Sequence, residues 1–188
     1  QNLSRWNGSS WTNDSVGSGF SEVVRLGTFG GQMYASLNFS GGLYRVGGSL
    51  PSWTPLLNPF TYQGTVYAMH AHSPSGAGTL VLGGDFDLLG VAPPSPSVLA
   101  SFDGTTWRTI HPVGWQDNPL KRAGSVRSLA TTAPGALAFG GTFDGVRQTA
   151  TDTGAPLPPP TVTLHPIGLW DGAAFSPLGE GLTNPGVR

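Results

Sequence analysis

Few residues in this chain are of types and spacings suited to chemistry. His70 and His72, in "HAH", form the only tight histidine pair among four histidines. On a strand, alternate residues share a face, so both imidazoles would reach one metal ion there. The competing reading is a pair of polar residues at a strand end. His111 and His165 fall in distant stretches that read as loops. Asp85 and Asp87, in "GGDFDLLG", alternate in the same way. Calcium takes about six to eight oxygens, however, and two aspartates fall short. The absence of cysteine removes thiolate metal sites and any disulfide framework. No pairing of nucleophile and base emerges, and no glycine loop of the phosphate-cradling kind. The sequence therefore predicts no enzyme, no catalytic residue, no metal ligand set and no cofactor.

Composition points to the elements that must carry these residues. Nine basic residues stand against ten acidic ones in 188 residues, so no electrostatic footprint for nucleic acid or an anionic membrane exists. No apolar run approaches the roughly 18 residues of a membrane span. Glycine and proline make about a quarter of the chain, a level at which disorder competes with folding. Disorder predicts few aromatics, yet there are 6 Trp, 9 Phe and 4 Tyr. The glycines also recur at fixed places. A turn-rich all-β fold follows.

Three signatures repeat in constant order. "GTVYAMHA" at 64–71 matches "GSVRSLAT" at 124–131, and "TLVLGGDF" at 79–86 matches "ALAFGGTF" at 136–143. "RWNGSSW" at 5–11 matches "SFDGTTW" at 101–107 and "LWDGAAF" at 169–175, with a degenerate copy in "RVGGSLPSW" at 45–53. Each piece is short, alternating or apolar, and bounded by Gly, Pro, Asn or Asp, as strands are. The Asn-Gly or Asp-Gly step predicts a two-residue type I′ hairpin, with positive φ at both centres. The double glycines are expected at strand ends, as turn residues. Four short antiparallel strands per cycle make a β-propeller blade. The landmark positions Trp6, Val46, Phe102 and Trp170 are spaced by 40, 56 and 68, and rim loops absorb that drift.

The expected organisation is an all-β propeller of four-stranded antiparallel blades, about three full blades with partial blades at both ends. Its divisions are 1–22, the outer half of a truncated blade; 23–63, a blade; 64–123, a blade with a proline-rich loop over 87–97; 124–186, a blade with a proline-rich insertion over 144–165; and 187–188, the start of another. The strands of the 23–63 blade are expected at Val23–Gly30, Gln32–Phe39, Leu43–Gly47 and Trp53–Leu57. Three and a half blades would not close the usual ring of about four to eight. The expectation is a segment of a larger protein, or one whose ring other chains complete.

The "WDGxxWxxLGxG", "GxVxAL" and "GxLxVGGxF" grammar, best kept in "LWDGAAFSPLGEGL" at 169–182, resembles delta-60-type repeats among the kelch and galactose-oxidase-like propellers. The resemblance implies a fold and not a chemistry. The copper site of the galactose-oxidase family needs a cysteine-linked tyrosine, which this chain cannot make. "SFDGTTW" also resembles the sialidase Asp-box, but one residue is missing between Asp103 and Gly104. The arginine cluster and the Tyr and Glu of that chemistry are not evident either.

Regular recurrence makes Trp6, Trp11, Trp53, Phe102, Trp107, Trp170 and Phe175 candidate blade-packing residues, since burying aromatic rings is strongly stabilising. The alternative use of the tryptophans is stacking on sugar rings. N-glycosylation sequons stand at Asn2, Asn7, Asn13 and Asn38, all in the first 40 residues. "APPSPS" at 92–97 and "APLPPP" at 155–160 are polyproline-type segments. Their Pro93, Pro94, Pro96, Pro158, Pro159 and Pro160 are candidates for hydroxylation or O-glycosylation, and the runs resemble those of hydroxyproline-rich surface glycoproteins. Together with a single lysine, these features predict an extracellular or cell-surface location.

The expected role is a non-catalytic structural or protein-interaction segment of a large extracellular glycoprotein, in a surface filament, flagellar appendage or cell wall. The alternatives are a carbohydrate-binding propeller and part of a secreted glycoside-acting enzyme whose catalytic residues lie elsewhere. The partners expected are other protein chains, or the rest of the same polypeptide, and glycans.

Overall fold

A computed structural model describes residues 3–14, 22–37, 42–47, 53–56, 65–73, 78–88, 95–110, 125–132, 135–142, 145–146, 162–163, 167–172 and 174–178. Among these the regular structure is all strand. β1 (Leu3–Trp6) and β2 (Trp11–Asp14) form a hairpin. β3 (Val23–Phe29), β4 (Gln32–Leu37), β5 (Gly42–Val46) and β6 (Trp53–Pro55) make the first four-stranded antiparallel sheet. β7 (Thr65–His72), β8 (Thr79–Leu88), β9 (Ser95–Phe102) and β10 (Trp107–Thr109) make the second. The third joins β11 (Val126–Thr131), β12 (Leu137–Gly141), β15 (Ile167–Trp170) and β16 (Phe175–Pro177). Between them, β13 (Gly145–Val146) pairs with β14 (Val162–Thr163) as a separate ribbon. The first two four-stranded sheets are simple meanders, and the third keeps the same up-and-down order with the β13–β14 ribbon inserted in sequence between its two central strands. Among the described residues no strand pairing joins one four-stranded sheet to another or closes a ring.

The sheets pack face to face, and period-two alternation in the second one decides how. Leu80, Leu82, Ala100 and Phe102 point to the first sheet, where they bury with Tyr34 and Leu43. Val81 and Leu99 point the other way, where they and Ile110 bury with Val126, Leu137, Phe139 and Phe175. The second sheet is thus covered on both faces, and its central strand β8 is apolar without a break over 80–84. Each fully buried leucine contributes about 1.5–3 kcal/mol relative to exposure. Across the stack, β7 packs against both β3 and β11.

Glycine permits the closest approaches. A Cβ on Gly83 would lie 2.6 Å from Cγ1 of Val126, and one on Gly27 would lie 2.9 Å from Cβ of Met69. Gly30 and Gly31 do form a turn at positive φ, and Gly140 and Gly141 do end β12, but the reading of the double glycines as turn residues is corrected at Gly83 and Gly84. Gly83 and Gly84 lie inside β8 beside a register shift, and a Cβ on Gly141 would strike the Ser125 carbonyl. They are there because a neighbouring strand occupies the space of a side chain.

Two further differences concern the connections. In "RWNGSSW" the Asn7 N–H donates to the Ser10 carbonyl, so Gly8 and Ser9 form the turn and Asn7 precedes it. Asp103 and Asp171 stand likewise to Thr106 and Ala174. Positive φ falls on Gly8, Gly104 and Gly172, at 103–105°. The expected loop over 87–97 is shorter than the sequence implies, because Asp87 pairs with Pro96 and Leu88 with Ser95. Pro96 is tolerated because β10 pairs only with residues 100–102 of β9, which leaves Pro96 one strand neighbour among the described residues.

Two substitutions test the two faces of β8. Leu82→Ala opens space toward the first sheet and is expected to cost about 2–5 kcal/mol. Gly83→Val overpacks the opposite face against Val126 and is expected to cost about 1–3 kcal/mol. Urea unfolding measures both, and equal stability of wild type and Leu82→Ala would contradict the packing described.

Candidate functional site

The histidine pair sits on the last turn of pleat in β7. Met69 faces the first sheet, where it meets Gly27 and packs on the core. His70 and His72 face the third sheet and converge on one hydroxyl of β11. His70 Nε2 lies 2.8 Å from Thr131 Oγ1, and His72 Nδ1 lies 3.0 Å from the same oxygen. His72 is 1% exposed, and its ring stands 6.3 Å from that of Trp170. Its Nε2 is buried with no hydrogen-bond partner among the described residues.

One proton arrangement satisfies this trio. His72 Nδ1–H donates to Thr131 Oγ1, and the Thr131 hydroxyl donates to His70 Nε2. That choice, assigned from the network, leaves His72 Nε2 as a bare lone pair and avoids an orphaned buried N–H. Both imidazoles are then neutral. Burial lowers the pKa of each, and the neighbouring His70 charge lowers that of His72 further. The pair lies at the end of β7, with His72 buried. It is a polar clasp between the second and third sheets. Among the described residues, no group of three or more His, Asp or Glu gathers to hold a metal. Asp85 lies opposite Thr65 at the start of the β7–β8 ladder. Asp87 pairs through its backbone, and Asp144 lies outside the described residues.

The same strand is gripped again lower down. The Arg25 guanidinium of β3 donates to the Tyr67 carbonyl, and the Arg127 guanidinium of β11 lies 4.8 Å over the Tyr67 ring. Arg127 Nε also donates to Ser125 Oγ at 3.2 Å. Sequence reasoning missed Arg25, Tyr67, Arg127 and Thr131. The signal for Thr131 lay in the repeat, which aligns it with Ala71 between the two histidine positions.

The hairpin turns form the second locus. Asn7 Oδ1 accepts from the N–H of Ser9 and Ser10 at 2.9 and 2.8 Å. Asp103 Oδ1 accepts from Thr105 and Thr106 at 2.9 and 2.7 Å, and Asp171 Oδ1 accepts from Ala174 at 2.7 Å. The backbone N–H groups of Thr106 and Thr105, then the Thr105 hydroxyl, hold the Asp103 carboxyl below its usual range. Each turn closes an aromatic pair set directly across the ladder: Trp6 with Trp11, Phe102 with Trp107, Trp170 with Phe175. In the first sheet Val46 faces Trp53.

These candidate packing residues have unlike surroundings. Phe102 and Phe175 are buried between sheets, and Trp107 stacks on Phe102 at 4.6 Å. Trp170 packs on the core, and Trp53 lies 6.1 Å from Tyr44. Trp6 and Trp11 pair with each other at 5.4 Å but remain 50% and 67% exposed. Asn7 and Asn13 are exposed. Asn2, Asn38, Pro93, Pro94, Pro158, Pro159 and Pro160 lie outside the described residues, and Pro96 is a backbone member of β9. Among the described residues no helix is long and apolar enough to cross a membrane. The chain matches no family model, no curated protein and no solved structure.

The clasp makes stability depend on pH. The folded pKa of each histidine lies below 6.5, so the unfolded chain binds more protons as pH drops past that value. Stability is therefore full above about 6.5 and declines as pH falls toward the folded values. Thermal melts from about pH 8 to pH 5 should show this decline, and His72→Gln should flatten it. At the turns, Asp103→Ala should lower the Tm while Asp103→Asn keeps it, because Asn7 shows that a carboxamide makes the same bonds.

Proposed function

We propose that this chain is a non-catalytic β-propeller segment of a large extracellular glycoprotein, serving structure or protein interaction in a surface filament, flagellar appendage or cell wall. The observation that carries the reading is the serial stacking of four-stranded meanders, with the first strands β3, β7 and β11 side by side. That is how consecutive blades sit around an axis. Turns of the Asn/Asp-Gly type would then fall toward the outer rim. The engagement of the histidine pair in joining sheets supports a structural role. Sequons, proline runs and a single lysine support the extracellular setting. Other protein chains, or the same polypeptide, would complete the propeller.

A second reading, carbohydrate binding, is favoured by the exposed Trp6 and Trp11 pair, since an indole face suits a sugar ring. Intact mass and peptide mapping of native material, with electron microscopy of its assemblies, test the first reading. The expected result is added hexose or hydroxyproline mass at the sequons or proline runs and incorporation into a higher-order structure. A bare mass would overturn it. For the second reading, glycan-array binding by the protein should disappear in Trp11→Ala.

A further inference from the structure

We propose that Asn13 carries an N-linked glycan whose first sugar covers the Trp11–Trp6 face; this rests on the extracellular glycoprotein reading. Of the four hairpin-closing pairs among the described residues, three have a member buried in the core. The pair on the β1–β2 hairpin does not, and Trp11 is the most exposed large apolar residue described, at 67%. The hairpin register sets Ser4 opposite Asn13 and Trp6 opposite Trp11. Alternate strand residues share a face, so Ser4, Trp6, Trp11 and Asn13 form one patch. Asn13 and Trp11 are two residues apart on β2, about 7 Å along the strand. A sugar joined to Asn13 therefore starts beside the indole it would stack on.

The two described sequon asparagines differ in how their carboxamides are held. Asn13 Oδ1 accepts from Ser4 Oγ at 3.0 Å. Linkage through Nδ2 uses the other atom of the carboxamide and leaves that bond intact. Asn7 is tied at both atoms. Its Oδ1 accepts from Ser9 N, Ser9 Oγ and Ser10 N, while its Nδ2 donates to Ser10 Oγ at 3.1 Å. Asn7 also flanks the turn, beyond the last Trp6–Trp11 pair of the ladder that organises the patch. In the linkage step the donor is a lipid-pyrophosphate-linked oligosaccharide. The bond from Nδ2 to the anomeric carbon forms as the bond from that carbon to the pyrophosphate oxygen breaks. Nδ2 gives up one proton, and the lipid pyrophosphate leaves. No electron is transferred. The apolar face of the attached N-acetylhexosamine then removes indole surface from water.

The test is the full chain secreted from a glycosylating eukaryotic host, alongside native material. Peptide mapping reads occupancy at each sequon. Acrylamide quenching of tryptophan emission is compared for the glycosylated protein, the protein trimmed to a single N-acetylhexosamine, and Asn13→Gln. The expected result is occupancy at Asn13, with quenching reduced in both glycosylated forms and restored in Asn13→Gln. Trp11→Ala should keep the glycan and lose the Tm gain that the single sugar confers. Occupancy at other sequons with Asn13 bare, or an occupied Asn13 with unchanged quenching, overturns this proposal and leaves the glycoprotein reading standing. Native material bare at every sequon and proline overturns both.

Discussion

The second sheet must be buried on both faces at once, and the rest of the structure follows from this. Leu80 and Leu82 turn to one neighbour and Val81 to the other, within three consecutive residues of β8. A one-residue slip would exchange the two sets, so register is strongly specified. The close packing also explains why glycine recurs where it does. At Gly83 a methyl group would overlap Val126, so the sheet-to-sheet distance and the residue type constrain each other.

Between the apolar faces, polar groups lie where β7 meets its two neighbours. The trio of His70, His72 and Thr131 pins the third sheet, and Arg25 and Arg127 reach Tyr67 from either side. Such contacts are directional, whereas apolar burial is not. They fix the sliding position of one sheet on the next, a position the apolar faces alone leave loose. A neutral histidine pair serves this end at neutral pH because burial disfavours its charged form.

The hairpins show one local solution used in different settings. An Asx side chain collects the N–H groups of the turn, a glycine supplies the positive φ, and an aromatic pair closes the ladder. In "SFDGTTW" and "LWDGAAF" that pair feeds the core. In "RWNGSSW" the same local geometry ends in an exposed face. Identical turn chemistry therefore says nothing about what lies over the strands.

Local pattern alone determined much of this protein. The strands of the first sheet were legible to within a residue or two, because alternation and turn residues bound them. The cycle of signatures placed the Phe102–Trp107 and Trp170–Phe175 pairs on facing strands, because the turn residues fix the hairpin. Tertiary structure decided what depends on a neighbour distant in sequence. It set which glycines mark close approach, continued β8 through Asp87 opposite Pro96, and made His70 and His72 partners of Thr131. It also separated the buried Phe102 from the exposed Trp6, two residues at matching places in the repeat. Periodicity reports which face of a strand a residue occupies. Only packing determines what meets that face.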